Sequence, residues 1–179
     1  PVCCGALIDS TPLYRAAGFP FIRLHDTNFP HPREVDIPQI FPDAAADEDD
    51  PRSYVFGPTD TYLRQCLDTG ARIIYRLGTS IEHTREKLFV HPPADFAKWA
   101  RICRNVVRHY NEGWADGFRW DIAYWEIWNE PDNQFFQPDR SRDPMWSGTP
   151  EQYCDLYAVT ARTLKEAFPS LKVGGYGTS

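Results

Sequence analysis

No apolar run in this sequence reaches the ~20 residues that a membrane-crossing helix needs, so nothing is expected to span a bilayer. Lys/Arg clusters are missing too. With a formal net charge of −6, that makes nucleic acid an unexpected partner. No Cys-x-x-Cys occurs among five cysteines, an odd number. Cys66, Cys103 and Cys154 fall at apolar positions of predicted helices and read as reduced, buried thiols; the Cys3–Cys4 pair reads as strand, not metal site. No leader peptide is legible at Pro1, which leaves the compartment open between cytoplasmic and exported. Neither Gly-x-Gly-x-x-Gly nor a phosphate-binding loop follows any predicted strand, which argues against a nucleotide-binding doubly wound sheet. The histidines His25, His31, His83, His91 and His109 have no ligand spacing, so neither metal nor cofactor is expected.

What is there is an alternation. A strand is expected at 2–8 (VCCGALI), a short helix at 11–18 ending on Gly18, and a strand at 19–26 (FPFIRLHD). Residues 59–70 predict a helix with Tyr62, Leu63, Cys66 and Leu67 on one face and Gly70 at its left-handed end. A strand follows at 71–80, then a helix at 94–111 with a stripe of Phe96, Ala100, Cys103 and Val107. A strand at 122–130 precedes the best-marked helix, 149–168. There Thr149 can cap, Pro150 suits the first turn and Gln152 completes a capping box. Another strand begins at 172. Strands and helices taking turns in this way predict α/β structure with a parallel sheet, and the reading is an incomplete (β/α) barrel of about the first five of eight units. The whole of 1–179 is expected to be the N-terminal part of one catalytic barrel, because a full barrel takes about 250 residues. An uncovered strand edge at 172–179 would invite self-association.

The Pro-rich stretch 27–58 has no helical or alternating period. It follows the second predicted strand on the face where barrel active sites lie, and is expected to shape a substrate site. Its acidic run Asp47–Glu48–Asp49–Asp50 fits no calcium loop and reads as solvated charge.

The chemistry concentrates in YWEIWNEPD, residues 124–132. On a regular strand Glu126, Trp128 and Glu130 share a face, and the two glutamates lie roughly 13 Å apart. That exceeds the ~5–9.5 Å between the paired carboxyls of glycosidases, so the two are not a catalytic pair. Glu130 stands at the strand end before Pro131, on the rim. Glu126 lies deeper and needs a partner, for which Arg23 and Arg76 are both available. Phe135, Phe136 and Trp146 follow on the same face and are candidates for stacking on a sugar ring. Asp26 and Glu82 end or follow strands without any recognisable nucleophile pattern.

Trp128–Asn129–Glu130–Pro131 resembles the fourth-strand motif of retaining (β/α)8 glycosidases, most of all glycoside hydrolase family 39, the β-xylosidase and α-L-iduronidase family. FIRLHD (21–26) resembles that family's second strand, and 151–179 its fourth helix and fifth strand. The resemblance implies a retaining glycoside hydrolase with β-xylosidase-like action on an oligosaccharide or other glycoside. It implies Glu130 as general acid/base, Asn129 as the donor to the sugar 2-hydroxyl, and His25 as a pocket residue. Trp128, Trp146 and Phe136 would line the substrate, with Arg23 and Glu126 in support. It also places the nucleophile on a seventh strand, outside this chain, so that these residues alone would be inactive. A sugar-binding partial barrel without catalysis, or a fragment needing a C-terminal complement, is the alternative. For Asn129 and Glu130 both to face a sugar, the strand end must be irregular.

Overall fold

The computed structural model describes residues 9–25, 33–82, 84–133 and 145–175. The strand expected at 2–8 lies outside them. The remaining alternation is present: α1 (Thr11–Ala17), β1 (Phe21–Arg23), α2 (Ile37–Ile40), a 3-10 turn (Pro51–Ser53), α3 (Gly57–Asp68), β2 (Arg72–Leu77), α4 (Phe96–Asn111), β3 (Tyr124–Ile127), α5 (Pro150–Ala167) and β4 (Lys172–Gly174). Local chemistry sets the helix ends. Gly18 closes α1 at φ 66, where a side chain would be strained. Asp95 accepts from the Lys98 N–H at the start of α4, and Thr149 and Gln152 form the reciprocal box that opens α5.

The four strands are parallel, in order β1-β2-β3-β4. Register and alternation divide their side chains between two faces. On the outer face Leu24, Ile73, Tyr75, Leu77, Trp125 and Ile127 are buried under the helices, and Tyr75 stacks on Trp125 at 4.8 Å. Opposite them, α3 supplies Tyr62, Leu63 and Cys66, α4 supplies Ala100, Cys103 and Val107, and α5 supplies Tyr153, Leu156 and Leu164. The inner face carries Phe21, Arg23, Arg72, Arg76, Tyr124 and Glu126; there Arg72 lies 4.3 Å over the Phe21 ring, and Phe21 meets Tyr124 edge-on. This polar inner layer behind an apolar outer one is the arc of a (β/α) barrel.

The stretch after β1, though without a period in its sequence, is not loosely held. From residue 33 onward Val35, Ile37, Ile40, Phe41, Tyr54 and Phe56 are buried in the core, and Asp36 is bound to Arg76 of β2 by a 2.7 Å ion pair. Its anchors are isolated apolar residues without a period, which is why no pattern announced them. Nor is the acidic run simply solvated. Glu48 accepts from Arg101 Nε at 2.7 Å, Asp49 pairs with Arg104, and Asp50 caps the 3-10 turn. The hydrogen bond from Arg101 holds the Glu48 carboxyl below its ordinary range.

Of the three helical thiols, Cys66 and Cys103 are buried, but Cys154 is on the exposed side of α5, which corrects the expectation for it. Burial pushes Cys66 up to about 11 and Cys103 well above the ordinary thiol range. At pH 8 iodoacetamide should therefore modify Cys154 readily and reach Cys66 and Cys103 only after denaturation. Peptide mass mapping of native protein that found all three alkylated alike would contradict the packing of α3 and α4.

Candidate active site

The strand β3 stops at Ile127, short of Asn129 and Glu130. Its last ladder bond runs from the Trp128 N–H to the Leu77 carbonyl, and then Trp128 takes φ 69 and Glu130 φ 38. Both are left-handed conformations that bulky or charged residues seldom adopt. The effect is to break the two-residue alternation. Trp128, which a regular strand would turn inward beside Glu126, is instead packed on the helix side, tilted against Trp99 and edge-on to Trp146. Its indole N–H donates to the Met145 carbonyl at 2.7 Å.

Asn129 moves the other way, to the inner face with Glu126. Arg23 at the end of β1 reaches both: its Nε donates to Glu126 Oε2 at 2.7 Å and its Nη2 to Asn129 Oδ1 at 2.8 Å. The choice left open for Glu126 is thus settled for Arg23. Arg76, its direct neighbour in register, turns away to Asp36, Ser80 and the His25 carbonyl. Asn129 is fully buried, and among the described residues its Nδ2 has no hydrogen-bond partner. Glu130 is half-buried at the rim; among the described residues no side chain pairs with its carboxylate, and its backbone carbonyl accepts from the Asn133 N–H. His25 is half-buried on the same rim, at the end of β1.

The arrangement brings Arg23, Glu126 and Asn129 together, with Glu130 next in the chain, and takes two residues off the inner face. Trp128 and Trp146 are buried on the helix side, the latter donating to the Thr149 carbonyl, away from the inner face that carries Arg23 and Glu126. Phe136 and its neighbour Phe135 lie outside the described residues, as does Asp26. Glu82 is buried with both oxygens engaged, by Arg33 and by the amides of Leu88 and Phe89, which leaves it no freedom to attack a carbon. Among the described residues no group of three or more His, Cys, Asp or Glu could hold a metal ion, and no helix is long and apolar enough to cross a membrane. A hollow of about 190 Å³ opens on the inner face beside Glu126, lined by Ile74, Tyr124, Lys172 and Gly174. A larger apolar cavity, about 350 Å³, lies behind Trp128 between Phe41, Phe89, Trp99 and Ile102, and none of the four site residues lines it.

One residue outside the motif makes this geometry possible. Gly78, the residue after β2, at φ 138, passes so close to the bend that a Cβ there would stand 3.1 Å from the Trp128 Cα. Gly78→Ala would meet both an unfavourable backbone angle and the indole. An expected cost of about 1–3 kcal/mol in urea unfolding follows; a variant as stable as the parent would mean the bend does not depend on that contact.

A family model for "Glycosyl hydrolases family 39" matches residues 15–179. The chain belongs to glycosyl hydrolases family 39. Relatives within reach are β-xylosidases. That of Geobacillus stearothermophilus is 36% identical over 88 residues, covering 48% of this chain and 15% of the relative. That of Caldicellulosiruptor saccharolyticus is 25% identical over 121 residues, covering 66% and 21%. The crystal structure of a glucosidase from Croceicoccus marinus superposes with a TM-score of 0.73 at 33% identity, over 95% of this chain and 32% of that one. This family 39 chain therefore spans about a third or less of the length of each of these proteins, and it shares the barrel architecture of the glucosidase.

Sequence reasoning located β3 and its glutamates but missed the reach of Arg23 to two partners and the whole Asp36–Arg76–Ser80 cluster. Nothing in the sequence marks Asp36, 40 residues before Arg76, as its counter-ion.

Proposed function

We propose that the chain carries the acid/base half of a retaining glycoside hydrolase of β-xylosidase type, acting at the end of a glycoside chain. The observation that supports this most is the pair Asn129–Glu130, which the bend at Trp128 presents as a buried N–H donor beside a carboxyl group on the rim, neither with a side-chain partner among the described residues. In its protonated form Glu130 gives a proton to the glycosidic oxygen as the bond to the anomeric carbon breaks, while a second carboxylate attacks that carbon from the opposite face. In the next step Glu130, now ionised, takes a proton from the water that displaces the sugar from that carboxylate. Asn129 Nδ2 donates to the sugar 2-hydroxyl oxygen. Glu126 and Glu82 are each held by arginine, so neither is the second carboxylate, which we place on a seventh strand beyond these residues. His25 contacts sugar hydroxyls from the end of β1.

Two measurements test the reading. The full gene product should release β-xylose from a nitrophenyl β-xyloside with the anomeric configuration kept, as read by NMR on the first product formed; inverted product would remove the two-step scheme. The 179-residue chain by itself should not turn over the same substrate. If it did, the nucleophile would have to be sought within it.

A further inference from the structure

An asparagine amide can face either way, and only one orientation offers a donor to the ligand. Asn129 is buried without room for solvent to choose between them. Its neighbour Arg23 has donors only, so the atom facing the guanidinium must be the oxygen, and the N–H2 is left pointing elsewhere. The guanidinium is itself aimed. Its Nε–Nη2 edge spans two acceptors on one chain segment, Glu126 Oε2 and Asn129 Oδ1, three residues apart. Those acceptors lie on one side of the sheet only because Trp128, between them, sits at φ 69. Without the Glu126 carboxylate, Arg23 would keep a charge with one neutral acceptor and be free to rotate about its own stem. The side chain of Glu126 is 11% exposed and that of Arg23 31%, so the carboxylate end of the pair is the shielded one.

We propose that Glu126 and Arg23 are positioning residues that fix the amide of Asn129, so that its Nδ2 is always a donor and the site selects glycosides bearing a hydroxyl oxygen at that point. The idea rests on the placement of Asn129 against the sugar given above. It assigns a specific task to a carboxylate that otherwise reads as a barrel-interior counter-ion. The Arg23 hydrogen bond to a charged partner transmits orientation, and the amide transmits selectivity.

The test compares a nitrophenyl β-xyloside with its 2-deoxy analogue, using the full gene product and variants checked for native circular dichroism. Asn129→Asp keeps an oxygen for Arg23 but has no N–H. It should lower kcat/KM for the hydroxylated substrate by roughly tenfold to a hundredfold more than for the deoxy analogue, the range for a hydrogen bond of this kind. Glu126→Gln should show the same selective loss on its own, and add under about twofold when combined with Asn129→Asp, because both act on one bond. Arg23→Lys, which keeps the charge but loses the two-donor edge, should behave like Glu126→Gln and serves if the latter does not fold. A Glu126→Gln loss that is equal for both substrates, or absent, overturns the positioning role while leaving Asn129 in place. If Asn129→Asp fails to discriminate between the substrates, the sugar contact of Asn129 falls first, and the positioning role with it.

Discussion

Glu130→Gln is expected to lower kcat/KM for an unactivated xylobiose-type substrate by roughly 10²–10⁴-fold, the usual worth of a placed general acid and base. The change is nearly isosteric and takes no internal partner from any described side chain, since none pairs with that carboxylate. The fold should therefore be unaffected. The loss should depend on the leaving group. A dinitrophenyl glycoside departs without help from a proton, so its first step should stay fast while the second, which needs a base for water, slows. The variant should then give a burst followed by slow turnover, and added azide, a nucleophile that needs no deprotonation, should restore the rate. Wild-type turnover of the disaccharide by Glu130→Gln would remove this residue from the chemistry.

Asp36→Ala should be the most damaging change to stability, by about 3–5 kcal/mol in urea unfolding, because it strands a buried charge. Arg76 is 0% exposed, and among the described residues a single nitrogen, Nη2, makes all three of its hydrogen bonds while Nε and Nη1 have no partner. Burial pushes the Asp36 carboxyl above the usual range, against the pull of Arg76 and the Ser80 amide. The pair's structural consequence is a tie. Asp36 joins the segment after β1 to the end of β2 through Arg76, the Ser80 N–H and the Ser80 hydroxyl. The double change Asp36→Ala with Arg76→Met should consequently be milder than Asp36→Ala alone, since no unpaired charge remains. A single variant within about 1 kcal/mol of the parent would show that the guanidinium finds water instead.

Much of the framework could be read before any coordinates. Gly18, Gly70 and the Thr149–Gln152 box mark helix ends through local chemistry, and local chemistry is what a sequence displays. The parallel order followed from the alternation of strands with helices. The separate environments of Glu126 and Glu130 were legible too, through strand depth. What was hidden depends on encounters between distant residues. Arg23 and Arg76 are equally plausible partners for Glu126 until the segment carrying Asp36 folds over β2 and captures one of them. Trp128 reads as a ligand residue because a regular strand gives it the face of Glu126 and Glu130, and Trp146 because it follows in the loop on that side. A backbone angle of the opposite sign at one residue sent Trp128 into the helical layer, and neither side-chain type nor spacing reports such an angle. Cys154 was misplaced for a simpler reason, since a helix as long as α5 has an outward face that apolar residues also occupy.

The left-handed bend has a bearing on any attempt to make this protein hardier. At positions 128 and 130 glycine or asparagine would relax the main chain, by about 1–3 kcal/mol at each site where packing is not lost. A heat-selection library would tend to enrich such replacements. Those at 130 would discard the carboxylate proposed to carry the proton, and those at 128 the aromatic ring packed at the bend. Screens that rank survivors by melting temperature should hold these two codons constant.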